Sequence, residues 1–171
     1  MNNYFVILAA GKSKRFDNKI AKQFFSYKNK EIIDHSIEKS LNSKLFKMIV
    51  VVSNNLIRLK KKNYPRSVKL IKGGKERSDS SLIALKYLKK FNPSNVLIHD
   101  AARPNFTIKL LKKLINKLKK NKAVIPFVYS RDSIKYKSQN HFFNLHRDKA
   151  LLTQTPQAFR YKDLYSLSLK Q

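Results

Sequence analysis

Five segments of the chain are apolar nearly throughout and are bounded by polar or turn-forming residues. They are YFVILAA (4–10), KMIVVVS (47–53), VKLI (68–71), NVLIHD (95–100) and AVIPFVYS (123–130). Runs of that length and β-branched content predict buried strands. Between them the spacing changes to helical. Ile33, Ile37 and Leu41 share one face of EIIDHSIEKSL (31–41), and Leu82, Leu85 and Leu88 recur in the segment 79–91. Leu110, Leu111, Leu114, Ile115 and Leu118 form a stripe on 107–121, with Thr107 placed to cap it. Asn54 or Asn55 caps a short basic helix running to Lys62, and Pro65 ends it. Strands that alternate with helices and are apolar on both faces predict an α/β open sheet. No repeat or linker divides the chain, so residues 1–171 are expected to form one domain.

The pattern changes from Asp132 to Arg147. SIKYK and HFFNLHR flank Ser138, Gln139 and Asn140, which predicts a projecting β-hairpin with a polar tip. The sequence shows no core-facing stripe within it. Such an arm either closes a dimer or lies on the surface.

Composition narrows the function classes. The chain has no Cys and 4 scattered His, which offers neither a disulfide framework nor a metal-ligand pattern. The start, MNNYFVILAAGK, lacks a basic leader and predicts a first strand, not a signal peptide. No apolar run is long enough to span a membrane, so the expected compartment is the cytoplasm. Charge is extreme, with 38 Lys+Arg against 10 Asp+Glu and a formal net charge of +28. A basic surface suits a nucleic-acid backbone. Here the lysines recur opposite apolar helix stripes, without interleaved aromatics to stack bases, which favours solvated helix faces over a nucleic-acid partner. Glycine is the useful exception. An average chain of this length carries about a dozen; this one has 3, at Gly11, Gly73 and Gly74. Each is expected to mark positive φ or close approach to a ligand.

Ligands of open α/β sheets bind beyond the carboxyl ends of the strands. Three unusual loops lie there. LAAGKSKR follows the first strand, and Ala9, Ala10 and Gly11 leave its backbone N–H groups open to a phosphate. It is not a Walker A loop, because Val6 stands where the first Gly must be, nor G-x-G-x-x-G, because Ser13 replaces the second. Lys12, Lys14, Arg15, Lys19 and Lys22 supply positive charge suited to a triphosphate. The alternative is an ordinary turn with solvated lysines. GGKERSDSS presents exposed backbone and small hydroxyls that suit a base edge, or a tight turn with a helix cap. HDAARP ends a strand with Asp100 and Arg103, which suit a metal–phosphate complex, a sugar hydroxyl or a mutual ion pair. His99 alternates to the other face and is expected to be structural.

Together these segments resemble the 2-C-methyl-D-erythritol 4-phosphate cytidylyltransferase family. LAAGKSKRF with the later KQF is similar to its A-A-G-x-G-x-R-M…P-K-Q signature, GGKERSDSS to its G-G-x-x-R-x-x-S loop, and IHDAARPN to its V-H-D-A-A-R-P segment. RDSIK and LTQTPQAF resemble its arm and its T-P-Q-x-F stretch. The resemblance implies a Rossmann-like nucleotidyltransferase sheet with an arm over 132–155. It implies CTP and methylerythritol phosphate as substrates, Mg²⁺ held by the CTP phosphates, and a homodimer through the arm. It also implies roles. Arg15, Lys22 and Arg147 would be catalytic cations, the last acting across the dimer. Ala9, Ala10, Gly11, Ser13, Gly74, Lys75, Ser80 and Ala101 would bind the nucleotide, and Asp100, Arg103 and Thr155 the acceptor. The family's ribitol phosphate and sugar phosphate relatives share much of this set and form the rival reading; a basic, inactive nucleic-acid-binding fragment is another. Two substitutions depart from the pattern, Ser13 for Gly and Ala21 for Pro. The family continues for roughly fifty more residues, a modest part of a domain of ordinary size, so a shortened chain is expected.

Overall fold

The computed structural model describes residues 1–11 and 20–170. In chain order the strands and helices begin with β1 (Asn3–Leu8), β2 (Ser26–Tyr27), β3 (Lys30–Glu31), α1 (Ile32–Asn42) and β4 (Met48–Val52). Next come α2 (Leu56–Lys60), β5 (Val68–Ile71), α3 (Arg77–Leu88), β6 (Asn95–Asp100) and α4 (Ile108–Lys117). The rest are β7 (Ala123–Val124), β8 (Phe127–Tyr129), β9 (Ile134–Ser138), β10 (His141–Leu145), β11 (Leu151–Thr153), β12 (Gln157–Arg160) and α5 (Tyr161–Ser168).

Six strands form the main sheet in the order β5-β4-β1-β6-β12-β7. β5, β4, β1 and β6 run parallel, and β12 is antiparallel to both its neighbours. Alternation along the strands splits the core between the two faces. Phe5, Ile7, Ile49, Val51 and Leu97 pack with Ile33 and Ile37 of α1 and Leu111 and Leu114 of α4. Tyr4, Val6, Val50, Val52, Val96 and Ile98 pack with Ala84, Leu85 and Leu88 of α3 and with Tyr161 of α5. The result is a three-layer α/β/α arrangement. Both expected caps form: Asn55 accepts from Arg58 N at 3.3 Å, and Thr107 from Leu110 N at 3.1 Å. Glu31, held by Arg58 and Lys62, and Asp34, held by Lys62 and Tyr64, tie the α2 segment to α1.

The expected strand over 123–130 is divided. β7 joins the edge of the main sheet, whereas β8 pairs with β11 in a separate ribbon. Pro126 lies at the division; it has no N–H for the ladder, and its carbonyl accepts from Gln154 N at 2.8 Å. The glycine expectation also needs correction. None of the three has positive φ. The left-handed positions are filled by Lys28, Asn29, Lys44, Asn63, Asn92 and Gln139. Turns that elsewhere take Gly are therefore made here by Asn, Lys and Gln. Close approach remains the requirement at Gly73, where a Cβ would overlap the Cβ of Ala10 and lie 3.0 Å from Ser80 Oγ.

The 132–147 hairpin forms as β9 and β10, with Gln139 at the tip. No stripe of it faces the core, but one of its faces is apolar and exposed. Residues opposite one another on antiparallel strands share a face, and the register pairs Phe143 with Tyr136 and Leu145 with Ile134. Lys137, Phe142, Lys135 and Asn144 occupy the other face. Tyr136 is 57% exposed and Phe143 55%.

Candidate functional site

β1 is the point where the strand order reverses: the chain moves out to β4 and β5 on one side and returns to β6 on the other. Loops after neighbouring strands diverge at such a point and leave a crevice. A cavity of about 280 Å³ lies there, lined by residues of the loops after β1, β5 and β6.

The first loop leaves the sheet with Ala9 N donating to Val52 O at 2.8 Å. Its bend is held from below by Gln23, a buried residue of the 3-10 turn Lys22–Phe24. Gln23 Nε2 donates to Ala9 O at 2.9 Å and to Gly11 O at 3.0 Å. A trans peptide directs its N–H opposite to its carbonyl, so the Ala10 N–H points away from Gln23. A Cβ on Gly11 would meet nothing within 4 Å. Among the described residues no packing requires glycine there.

The second loop is braced by the first turn of α3. Ser80 Oγ accepts from Gly74 N at 3.1 Å. Asp79 Oδ2 accepts from Lys75 N at 3.1 Å and from Glu76 N at 3.0 Å. Asp79 and Ser80 therefore work on the loop backbone, and Gly74 and Lys75 are fixed at the cavity wall.

The third loop carries the charged groups. Asp100 ends β6 between two guanidinium groups, with Arg77 Nε at 3.0 Å and Arg103 Nε at 3.5 Å. Arg103 Nη1 donates to Gln154 Oε1 at 2.9 Å. Behind Asp100, His99 is fully buried. Its Nδ1 lies 2.9 Å from Thr155 Oγ1, which accepts from Asp100 N at 3.3 Å. Its Nε2 lies 3.4 Å from Ser36 Oγ, which reaches Ala101 O at 3.5 Å. With Ser36 donating to Ala101 O and Thr155 accepting from Asp100 N, both hydroxyl contacts are satisfied when the proton is on Nε2. Burial holds the imidazole pKa down at about 3, so the ring is neutral; the charges of Arg103 and Lys39 act in the same direction, and Asp100 and a hydrogen bond with the Arg103 backbone act against it.

Of the residues singled out in the sequence, Ala9, Ala10, Gly11, Gly74, Lys75, Ser80, Asp100 and Ala101 line this one cavity. Arg103 and Thr155 join it through Asp100. Lys22, itself exposed, is beside the Gln23 clasp on a turn whose other two residues are buried. Arg147 lies in the exposed 3-10 turn Arg147–Lys149 after the hairpin, outside the cavity lining. Ser13 and Arg15 fall outside the described residues. Three contributors were not singled out: Gln23, Arg77 and Gln154. Gln23 was the most accessible of these, since it adjoins Lys22 in the KQF motif.

Comparison with known proteins agrees with this geometry. The family model for 2-C-methyl-D-erythritol 4-phosphate cytidylyltransferase matches residues 4–170. The chain is 46% identical over 168 residues to the bifunctional enzyme IspD/IspF of Pelagibacter ubique, covering 98% of this chain and 45% of that protein. It is 38% identical over 178 residues to the 2-C-methyl-D-erythritol 4-phosphate cytidylyltransferase of Clostridium kluyveri, covering 99% and 76%. Among solved structures, 4-diphosphocytidyl-2C-methyl-D-erythritol synthase of Anaerococcus prevotii superposes with a TM-score of 0.84 at 27% identity, covering 99% of this chain and 75% of that one. The chain thus spans under half of its bifunctional relative and about three quarters of the others.

Proposed function

The chain belongs to the 2-C-methyl-D-erythritol 4-phosphate cytidylyltransferase family, and we propose that it performs that family's reaction in the crevice between β1 and β6. CMP passes from CTP to methylerythritol 4-phosphate, and pyrophosphate leaves. The observation that carries this reading is the meeting of three loops at one cavity: a side-chain-poor loop, a braced polar loop and a charged pair, Asp100 and Arg103.

The chemistry needs no nucleophilic side chain. A phosphate monoester has its second pKa near ~6 and is largely dianionic at neutral pH. It attacks the α-phosphorus in line, and the bond to the bridging oxygen of pyrophosphate breaks. The protein aligns two anions and offsets the charge that develops. Ala9, Ala10, Gly11 and Ser13 receive the triphosphate. Gly74, Lys75 and Ser80 read cytosine, and Ala101 lies beside the ribose. Asp100 accepts from the acceptor's hydroxyls, while Arg103 and Thr155 complete its subsite. Arg15 and Lys22 stabilise the transition state. Magnesium enters with the nucleotide as MgCTP. Among the described residues no three acidic or imidazole side chains gather to cage an ion. Among the described residues no helix is long and apolar enough to cross a membrane. A nucleoside triphosphate substrate is best supplied in the cytoplasm.

The arm over 132–155 provides the dimer contact in this reading. Among the described residues nothing covers the face of Ile134, Tyr136, Phe143 and Leu145 sufficiently to bury it, and exposed apolar faces of this kind mark interfaces. Arg147, which does not line its own cavity, would then serve the partner's. Phe143→Lys is expected to convert a sedimenting dimer into a monomer and to abolish turnover at low enzyme concentration. A wild-type protein that sediments as a monomer would remove this part of the proposal.

The test of function is pyrophosphate release with MgCTP and methylerythritol 4-phosphate, with ribitol 5-phosphate and ATP in parallel. Release confined to the first pair is expected. Release with ribitol 5-phosphate instead would move the chain to the ribitol phosphate enzymes.

A further inference from the structure

Arg77 begins α3 and forms part of the crevice wall. Its Nε donates to Asp100 Oδ1 at 3.0 Å, while Arg103 Nε faces Oδ2 at 3.5 Å. The two arginines come from different loops and hold the two carboxylate oxygens separately. Arg103 is itself fixed on Gln154. The Arg77 side chain is 51% exposed and that of Asp100 29%, and ion pairs so placed add little to stability. The pair does fix orientation. A carboxylate has about four acceptor sites; with one oxygen engaged by each arginine, the plane of the group is set and its remaining sites are available toward the crevice.

Arg77 is also tied to the nucleotide side. It follows directly on the segment whose N–H groups are held by Ser80 and Asp79. That segment is the one read above as the cytosine-binding backbone. We infer that Arg77 is a positioning residue that, from the braced nucleotide loop, sets the orientation of Asp100 in the acceptor half of the crevice. Asp79 and Ser80 fix the loop, the loop fixes Arg77, and Arg77 holds Asp100 in the orientation that the acceptor's hydroxyls require. This inference rests on the functional reading given above.

Arg77→Ala and Arg77→Lys test it. Steady-state rates give the acceptor KM, the CTP KM and kcat. Calorimetry gives methylerythritol 4-phosphate binding in the presence of Mg²⁺ and α,β-methylene CTP. Misdirecting Asp100 costs a charged hydrogen bond to the acceptor, which corresponds to a rise in acceptor KM of roughly tenfold to a hundredfold for Arg77→Ala. The CTP KM and the melting temperature should stay near wild type, and Arg77→Lys should recover part of the loss. The acceptor affinity read by calorimetry should fall by the same factor as its KM rises. An unchanged acceptor KM, or an equal loss for both substrates, would overturn the positioning role while leaving the activity established. Absence of turnover in the wild type would overturn the functional reading, and the positioning role with it.

Discussion

Gly73→Ala is expected to lower kcat/KM for CTP by roughly a hundredfold, because displacements near 1 Å at a reacting centre cost about that much. The cause is local and identifiable. A Cβ on residue 73 would overlap the Cβ of Ala10, which is fixed to the backbone and cannot rotate away. Val52 Cγ1 at 3.3 Å blocks retreat toward the sheet, and Ser80 Oγ at 3.0 Å crowds the remaining side. The 72–76 segment and the 9–11 loop must therefore move apart. They carry the groups assigned to cytosine and to the triphosphate, so the separation acts on the nucleotide directly. Overpacking of this kind also costs about 1–3 kcal/mol of stability. The second half of the prediction makes it specific. Ala10→Gly in the same chain removes the opposing Cβ and should restore most of the activity, a coupling that a double-mutant cycle measures directly. Full activity in Gly73→Ala, or no rescue by Ala10→Gly, would show that the two loops do not depend on this contact. The same pair explains the survival of this glycine in a chain that makes its left-handed turns from Asn29, Asn63 and Asn92.

What could be read in advance followed from how local each signal was. The strands over 48–52, 68–71 and 95–100 stand out because parallel strands covered on both faces are apolar along their length. The Asn55 and Thr107 caps require only a side chain and a backbone N–H three residues apart. Features set by tertiary pairing were not visible. β12 inserts antiparallel between β6 and β7, and its four residues, QAFR, carry no pattern that specifies those neighbours. The apolar face of the β9–β10 hairpin exists only once the register places Phe143 opposite Tyr136. The site divided in the same way. Its backbone-bearing loops were evident from small residues after apolar strands. The clasp by Gln23, the Arg77–Asp100 pair and the hold of Gln154 on Arg103 join residues 12–14, 23 and 51 positions apart. Each such residue has an ordinary polar identity, and nothing nearby in the chain marks its partner.

The same network makes stability depend on pH through one buried ring. His99 has a pKa near 3 in the folded protein, against 6.5 for an unperturbed imidazole. The unfolded chain therefore binds a proton below pH 6.5 that the folded chain refuses until about pH 3. Within that window stability falls as pH falls, by about 1.4 kcal/mol per unit, and above it this group has no effect. The wild type is expected to lose about 2 kcal/mol between pH 7 and pH 5 that His99→Gln does not lose. Urea unfolding of both proteins at the two values measures the difference, and pH 5 keeps most carboxylates ionised. Equal losses in the two proteins would show that the imidazole is not the group responsible. His99→Leu separates the hydrogen bonds from the titration. It keeps an apolar side chain beside Phe106, whose ring lies 4.6 Å from the imidazole, but leaves Thr155 and Ser36 without their shared partner. Thr155 keeps the Asp100 N–H and Ser36 keeps the Ala101 carbonyl, so the cost is that of the two lost hydrogen bonds, about 1 kcal/mol each, and His99→Leu should be the less stable variant at pH 7. Thr155 also receives the Asp100 N–H. Loosening it should raise the acceptor KM together with the loss of stability, whereas His99→Gln, which can still bridge Thr155 and Ser36, should raise it less.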